Sequence, residues 1–192
     1  MRFLSVLRRL LVLGAGAMLS SSLSGCASTP LQPQDTAVLV TAADLKPLGA
    51  PLPADFPRFE QSRKTELLGS VELEYQFDAR AAGGAYPYLY STINRETSVS
   101  SAVAAYGAVK AGLGMADIEA RDDSERFRYG DWSYFGTLLR DDEPRGFVFY
   151  MRDDLTVYLL MVSGIRMNVG QVWEQLLLPR LEMLSRTRLS SR

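Results

Sequence analysis

The sequence predicts an α+β domain: an antiparallel β-sheet of about five strands with two main helices, in the order ββαβββα, arranged as an α/β sandwich. Three observations lead there. Val71, Leu73, Tyr75 and Phe77 alternate with Glu72, Glu74, Gln76 and Asp78, the period of two that gives a strand one dry and one wet face. Val99, Val103, Tyr106, Val109 and Leu113 recur at helical spacing. The runs FVFYM (147–151) and LTVYLLMV (155–162) are apolar on both faces, so the strands they form need cover above and below.

The remaining elements follow in chain order. After the strand over 71–78, Ala81-Ala82-Gly83-Gly84 makes a turn and Tyr86 to Ile93 makes a second strand, a hairpin with a longer loop. The helix that follows has Thr97 or Ser98 as its N-cap and Gly112 or Gly114 at its end. Strands are expected at 131–140, 146–152 and 155–163. A last helix over 168–188 is capped by Asn168 and striped by Val169, Val172, Trp173, Leu176, Leu177, Leu181 and Leu184. Pro179 falls inside that stripe and should kink or split the helix, because it lacks a backbone donor and clashes one turn back. The two helices can lie on opposite faces of the sheet, or both on one face with something else covering the other.

The N-terminal region has a different character. Arg2, Arg8 and Arg9 precede an apolar run from Leu10 to about Leu23, a basic segment and then a greasy one of signal-peptide length, too short to span a bilayer. The chain's single cysteine closes it, in Leu23-Ser24-Gly25-Cys26. This tetrapeptide resembles the lipobox of bacterial lipoproteins. The resemblance implies that Cys26 receives a diacylglyceryl group, that residues 1–25 are cut away, and that the new amino terminus is acylated. More than one acyl chain makes such anchoring stable rather than transient. Ala27 rather than Asp after the cysteine implies, in a two-membrane bacterium, sorting to the outer membrane facing the periplasm. Six of nine prolines fall between Pro30 and Pro57, so residues 26–57 read as an extended tether and 58–192 as one globular domain. Ala37 to Val40 is too apolar for a pure linker and should dock on the domain. Element order and tether together loosely resemble the PsbP-like fold, also seen in DcrB-like lipoproteins. That likeness is one of pattern over roughly 58–188, and no functional residue carries over from it.

Composition narrows the function. Removing residues 1–25 takes three arginines and no acids, leaving 18 Lys plus Arg against 22 Asp plus Glu, a net charge of −4. A mildly acidic domain offers no electrostatic reason to bind nucleic acid. A lipidated Cys26 leaves no intrachain disulfide, and the core must hold by packing. Histidine is absent, which removes His-based triads and His metal sites. No nucleotide, zinc-protease or serine-hydrolase motif occurs, and no cofactor is expected.

Three kinds of candidate site remain. Arg-Asp-Asp occurs at 121–123, 140–142 and 152–154. These read chiefly as turn chemistry. If alternate turns share an end of the sheet, however, Asp122, Asp123, Asp153 and Asp154 could gather around calcium, with Asp141 and Asp142 at the far end. Tyr86, Tyr88 and Tyr90 fall on one strand face, where they serve either as core or as a surface for a glycan, small ligand or protein partner. A carboxylate pair, or a serine with one of Lys46, Lys64 and Lys110, would be needed for an enzyme. The leading expectation is a non-catalytic, membrane-anchored envelope lipoprotein that binds another envelope protein as an accessory or assembly factor. A ligand- or glycan-binding module on the tyrosine face comes second, and a carboxylate-dependent hydrolase of envelope polymers third.

Overall fold

A computed structural model describes residues 27–49, 59–79, 87–115 and 119–186. The elements, in chain order, begin with strand β1 (Ala27–Thr29) and two short helices, α1 (Pro33–Val38) and α2 (Ala42–Leu45). Strands β2 (Phe59–Leu67), β3 (Ser70–Asp78) and β4 (Tyr88–Arg95) lead into helix α3 (Val99–Met115). Strands β5 (Ala120–Asp122), β6 (Trp132–Arg140), β7 (Glu143–Asp153) and β8 (Thr156–Ser163) follow, and the chain closes with α4 (Val169–Val172) and α5 (Leu178–Arg186).

All strands join one antiparallel sheet in the order β1-β2-β3-β4-β8-β7-β6-β5. The α+β class and the antiparallel sheet hold, but the sheet has eight strands where about five were expected. Two of the additional strands, β1 and β5, are only three residues long, too short for a period of two to register. The third, β2, reads FEQSRKTEL and is exposed or half-exposed throughout. It lies outside the core, so it needs no apolar alternation.

Two meanders meet edge to edge at the centre, where Tyr88 pairs with Ser163 and Arg95 with Thr156. The strands from β3 to β6 supply the first face with Leu73, Phe77, Leu89, Ile93, Phe135, Phe147, Phe149, Tyr158 and Leu160. The C-terminal helices cover it through Val172, Leu176, Leu177, Leu181 and Leu184. Trp173 adds ring contacts at 5.3 Å to Phe127 and 5.7 Å to Phe149. The second face carries Tyr88, Tyr90, Val148, Tyr150, Leu159 and Met161 under α3, which contributes Tyr106, Val109 and Leu113. The helices therefore take opposite faces. Only part of the expected α3 stripe packs, because Val99 and Val103 remain 49% and 37% exposed.

Helix α5 continues through Pro179, and the irregularity falls before it. Residues Trp173–Leu177 form a π turn between α4 and α5, with the Leu178 N–H bonded to the Trp173 carbonyl five residues back. Widening the turn just before a proline accommodates its ring and its missing donor. Asn168 caps the start as expected, its Oδ1 accepting from the Gln171 N–H at 3.2 Å.

The expected tether is corrected over residues 27–49. Rather than an extended spacer, this segment is folded onto the first face, with Val38, Leu39, Val40, Ala42 and Leu45 buried. Pro33 acts as a helix starter and opens α1, where a missing N–H costs nothing. Asp35 accepts from the Gln32 N–H at 3.1 Å and Asp44 from the Thr41 N–H at 2.8 Å. Long-range bonds fix the segment. The Val40 N–H donates to Ser91 Oγ at 3.3 Å and the Ala42 N–H to Tyr75 Oη at 3.1 Å, while Arg180 donates to the Leu39 carbonyl at 3.1 Å and pairs with Asp44 at 2.5 Å.

Turn chemistry explains the tight hairpins. Leu68 (φ 50°) and Gly69 (φ 87°) join β2 to β3, and Asp141 (φ 54°) and Asp142 (φ 60°) join β6 to β7. Both are two-residue loops with positive φ at both positions, the arrangement that matches strand twist. Aspartate adopts that backbone more readily than leucine does. In β7, Arg145 and Gly146 together stand opposite Leu138 as a bulge. A Cβ on Gly146 would lie 2.1 Å from the Val162 carbonyl oxygen, so the bulge requires glycine.

Two substitutions test this description. Leu45→Ala should lower unfolding stability by about 3 kcal/mol in denaturant titration, as for any fully buried leucine, whereas a free tether would show no change. Leu68→Asn should raise it by about 1 kcal/mol by relieving the left-handed leucine.

Candidate functional site

Of the three tyrosines singled out in the sequence, Tyr86 lies outside the described residues, as does Cys26. Tyr88 and Tyr90 are 4% and 8% exposed. Neither presents an open ring to solvent; both belong to the second-face core. Their neighbours form an aromatic layer under α3. Tyr106 lies 5.3 Å from Tyr150 and 5.7 Å from Trp132, and Tyr134 stacks on Tyr150 at 5.1 Å. Arg152 closes the layer, its guanidinium 4.6 Å from the Trp132 ring centre and paired with Asp131 at 2.6 Å.

The wet face of β3 is less wet than its sequence suggests. Glu74 is buried, paired with Arg63 at 2.8 Å and accepting from the Tyr90 hydroxyl at 3.3 Å. Glu72 stands two residues away on the same face, where the charge of Arg63 offsets only part of the cost of its burial. Burial, and then the charge of Glu74, raise its pKa above the ordinary 4.5. Burial likewise pushes the Tyr90 phenol upward, with the Glu74 charge adding to it. This cluster holds two acids, but one is committed to an arginine and a tyrosine.

The four aspartates considered for calcium do not converge. Asp122 pairs with Gly136, which pairs with Val148. Asp153 lies five residues further along β7, about 17 Å beyond the level of Asp122 in the strand direction alone. The Asp123 carboxylate is already engaged by the Thr137 hydroxyl at 2.5 Å and by Arg121 at 3.2 Å. Burial opposes ionisation of Asp123, but these two donors prevail and lower its pKa. Among the described residues no group of three or more acids, cysteines or histidines is placed to hold a metal ion. Asp141, Asp142 and Asp154 are turn residues with positive φ, the role given to this tripeptide first.

A groove lies elsewhere. It has a volume of about 600 Å³ and lies beside the β6–β7 turn, lined by Leu48, Arg121, Thr137, Glu143, Arg166 and Asn168, among others. The Gly146 bulge shapes its rim: Arg145, in the bulge, donates to Glu143 at 2.7 Å, and Arg166 pairs with the same carboxylate. The hydrogen bond and charge of Arg166, assisted by Arg145, hold the Glu143 pKa below its usual value.

No protein-family model, curated protein or solved structure matches this chain.

The groove must therefore be read from its own chemistry. Arg121 and Arg166 line it together with Glu143 and the apolar Leu48, Met167 and Val169, and each guanidinium has an acidic partner, Asp123 for Arg121 and Glu143 for Arg166. Sequence reasoning passed over Arg166 and Glu143, which no motif marks. Arg121 and Asn168 were noticed, but as a turn residue and a helix cap. Only the fold brings 48, 121, 143 and 166 to one place.

Glu72 gives a prediction with a definite sign. Its raised pKa means the ionised form costs folding stability at neutral pH, and protonation removes that cost. Glu72→Gln should therefore melt at a higher temperature than the parent at pH 7.5. The gain should vanish as pH falls below the ordinary carboxylate value, where both proteins are neutral at position 72. Equal melting temperatures at both pH values would show that Glu72 is not desolvated.

Proposed function

We propose that this chain is a membrane-anchored lipoprotein of the bacterial envelope, non-catalytic, whose domain holds another envelope protein as an accessory or assembly factor. One observation supports this reading above the others: the residue that follows Cys26 and the groove lie at opposite ends of the strands. Ala27, the residue after the lipobox cysteine, pairs with Glu66 at one end of the sheet. The groove around Arg121, Glu143 and Arg166 lies at the opposite end of the strands. Strand β7 runs 11 residues between these levels, which separates them by about 30 Å. An anchor at one end thus directs the groove away from the lipid and toward other envelope components.

The competing readings draw less support. A glycan platform needs open aromatic faces, and Tyr88 and Tyr90 are buried beneath the α3 layer. A carboxylate hydrolase needs two acids facing an open cleft, whereas Glu74 is tied to Arg63 and Tyr90 on a sheet face.

Two measurements test the proposal. Cys26→Ser should move the protein from the membrane fraction to the soluble envelope fraction. A photo-reactive residue at position 167 should form an adduct with one protein partner in living cells, and Arg166→Glu should reduce that adduct several-fold. Recovery of the protein alone in every such experiment would overturn the partner-binding role.

A further inference from the structure

Leu68 sits at the tip of the β2–β3 hairpin, 94% exposed and in a left-handed backbone conformation that favours glycine or asparagine. Leu67 beside it is 48% exposed. Neither exposure nor backbone gives folding a reason to place leucine there. A second apolar pair stands nearby. A Cβ at Gly69 would lie 3.1 Å from Thr97 Cγ2, and Ser70 Oγ donates to Glu96 at 3.1 Å, so the hairpin tip abuts the start of α3. That start carries the exposed Val99, with Val103 one turn on.

What lies opposite this patch follows from where the chain enters the domain. Ala27, Ser28 and Thr29 pair with Glu66, Thr65 and Lys64. Residue 26 is one peptide bond from Ala27, which stands one strand away from Glu66, the neighbour of Leu67. Strand spacing and rise put the Leu68 backbone within about 10 Å of Ala27. Because residues 27–29 belong to the sheet and the segment after them is docked, no slack separates the attachment point from the hairpin. A domain joined to acyl chains at residue 26 must therefore bring its hairpin to the lipid surface.

The geometry points to the Leu67–Leu68 hairpin tip, flanked by Val99, as a membrane-inserting element that enters the leaflet carrying the Cys26 lipid and fixes the orientation of the domain on it. This rests on the anchored reading above. The apolar tip and the acyl chains form one hydrophobic footprint. Polar pairs rim it: Lys64 with Glu66 at 2.9 Å, and Ser70 with Glu96. Two attachment points prevent the tumbling that a single flexible lipid tether would allow, and they keep the Arg166 groove turned away from the membrane.

The test uses the mature chain recovered from membranes, in which an acylated Cys26 leaves any introduced cysteine as the sole free thiol. Leu68→Cys, Val99→Cys and, at the far end, Asp142→Cys are each labelled with a nitrobenzoxadiazole probe. They are reconstituted into phosphatidylethanolamine–phosphatidylglycerol vesicles with brominated acyl chains, with circular dichroism confirming the fold. The probe at 68 should lose most of its emission, that at 99 part of it, and that at 142 none. If Cys26 carries lipid and the vesicles retain the protein, yet iodide in the aqueous phase quenches 68 as readily as 142, the insertion is overturned and the anchor stands. If mass spectrometry finds Cys26 bare and the protein leaves the vesicles, the anchor fails and the insertion with it.

Discussion

Strands β4 and β8 lie side by side at the centre of the sheet, and neither has a face that tolerates water. Tyr88, Tyr90, Leu159 and Met161 point one way, and Leu89, Ile93, Tyr158 and Leu160 the other, all buried. A single layer of helices cannot cover both faces, so the chain must return to each side of the sheet. Helix α3 takes one side, and the π-widened C-terminal helix takes the other. The first face is wider than that helix, and the segment of 33–48 fills what it leaves uncovered. The docking of that segment, with Leu39 and Leu45 inside the core, follows from the apolarity of two central strands.

That docking has a mechanical consequence. With Ala27 paired into the sheet edge, the place where the chain enters the sheet is fixed beside the β2–β3 hairpin. The ends of the sheet then differ. One carries the chain entry, the left-handed Leu68 and the first turn of α3; the other carries the Gly146 bulge and the arginine-lined groove. Asp141 and Asp142 make the same kind of turn as Leu68 and Gly69, with residues that suit the backbone and the solvent. The contrast shows that a leucine at the β2–β3 tip is not a requirement of the turn.

The second face shows how burial redistributes charge. Arg63 is partly exposed and pairs with a buried Glu74, so the pair is screened on one side and desolvated on the other. At Glu72 burial and the charge of Glu74 outweigh the pull of Arg63, and its pKa is raised. Arg152 resolves the same problem differently, spreading its charge over Asp131, the Trp132 ring and the Asp154 carbonyl. Each arrangement stabilises a charge at the margin of an aromatic layer.

What the sequence determined by itself is what local pattern encodes. The alternation in β3, the two-faced apolar runs of β7 and β8, the cap at Asn168 and the turn aspartates all act within a few residues, and they reappear in the structure with small shifts of boundary. Pattern was silent on β2, whose residues face water, and on β1 and β5, which are too short to show a period. It was misleading for 27–49, because proline starts a helix as readily as it extends a linker, and only a hydrophobic surface elsewhere in the chain selects between them. The burial of Tyr88 and Tyr90, the separation of Asp122 from Asp153, and the meeting of Arg121 with Arg166 depend on strand order and register. These arise from packing between residues distant along the chain, and tertiary structure alone decided them.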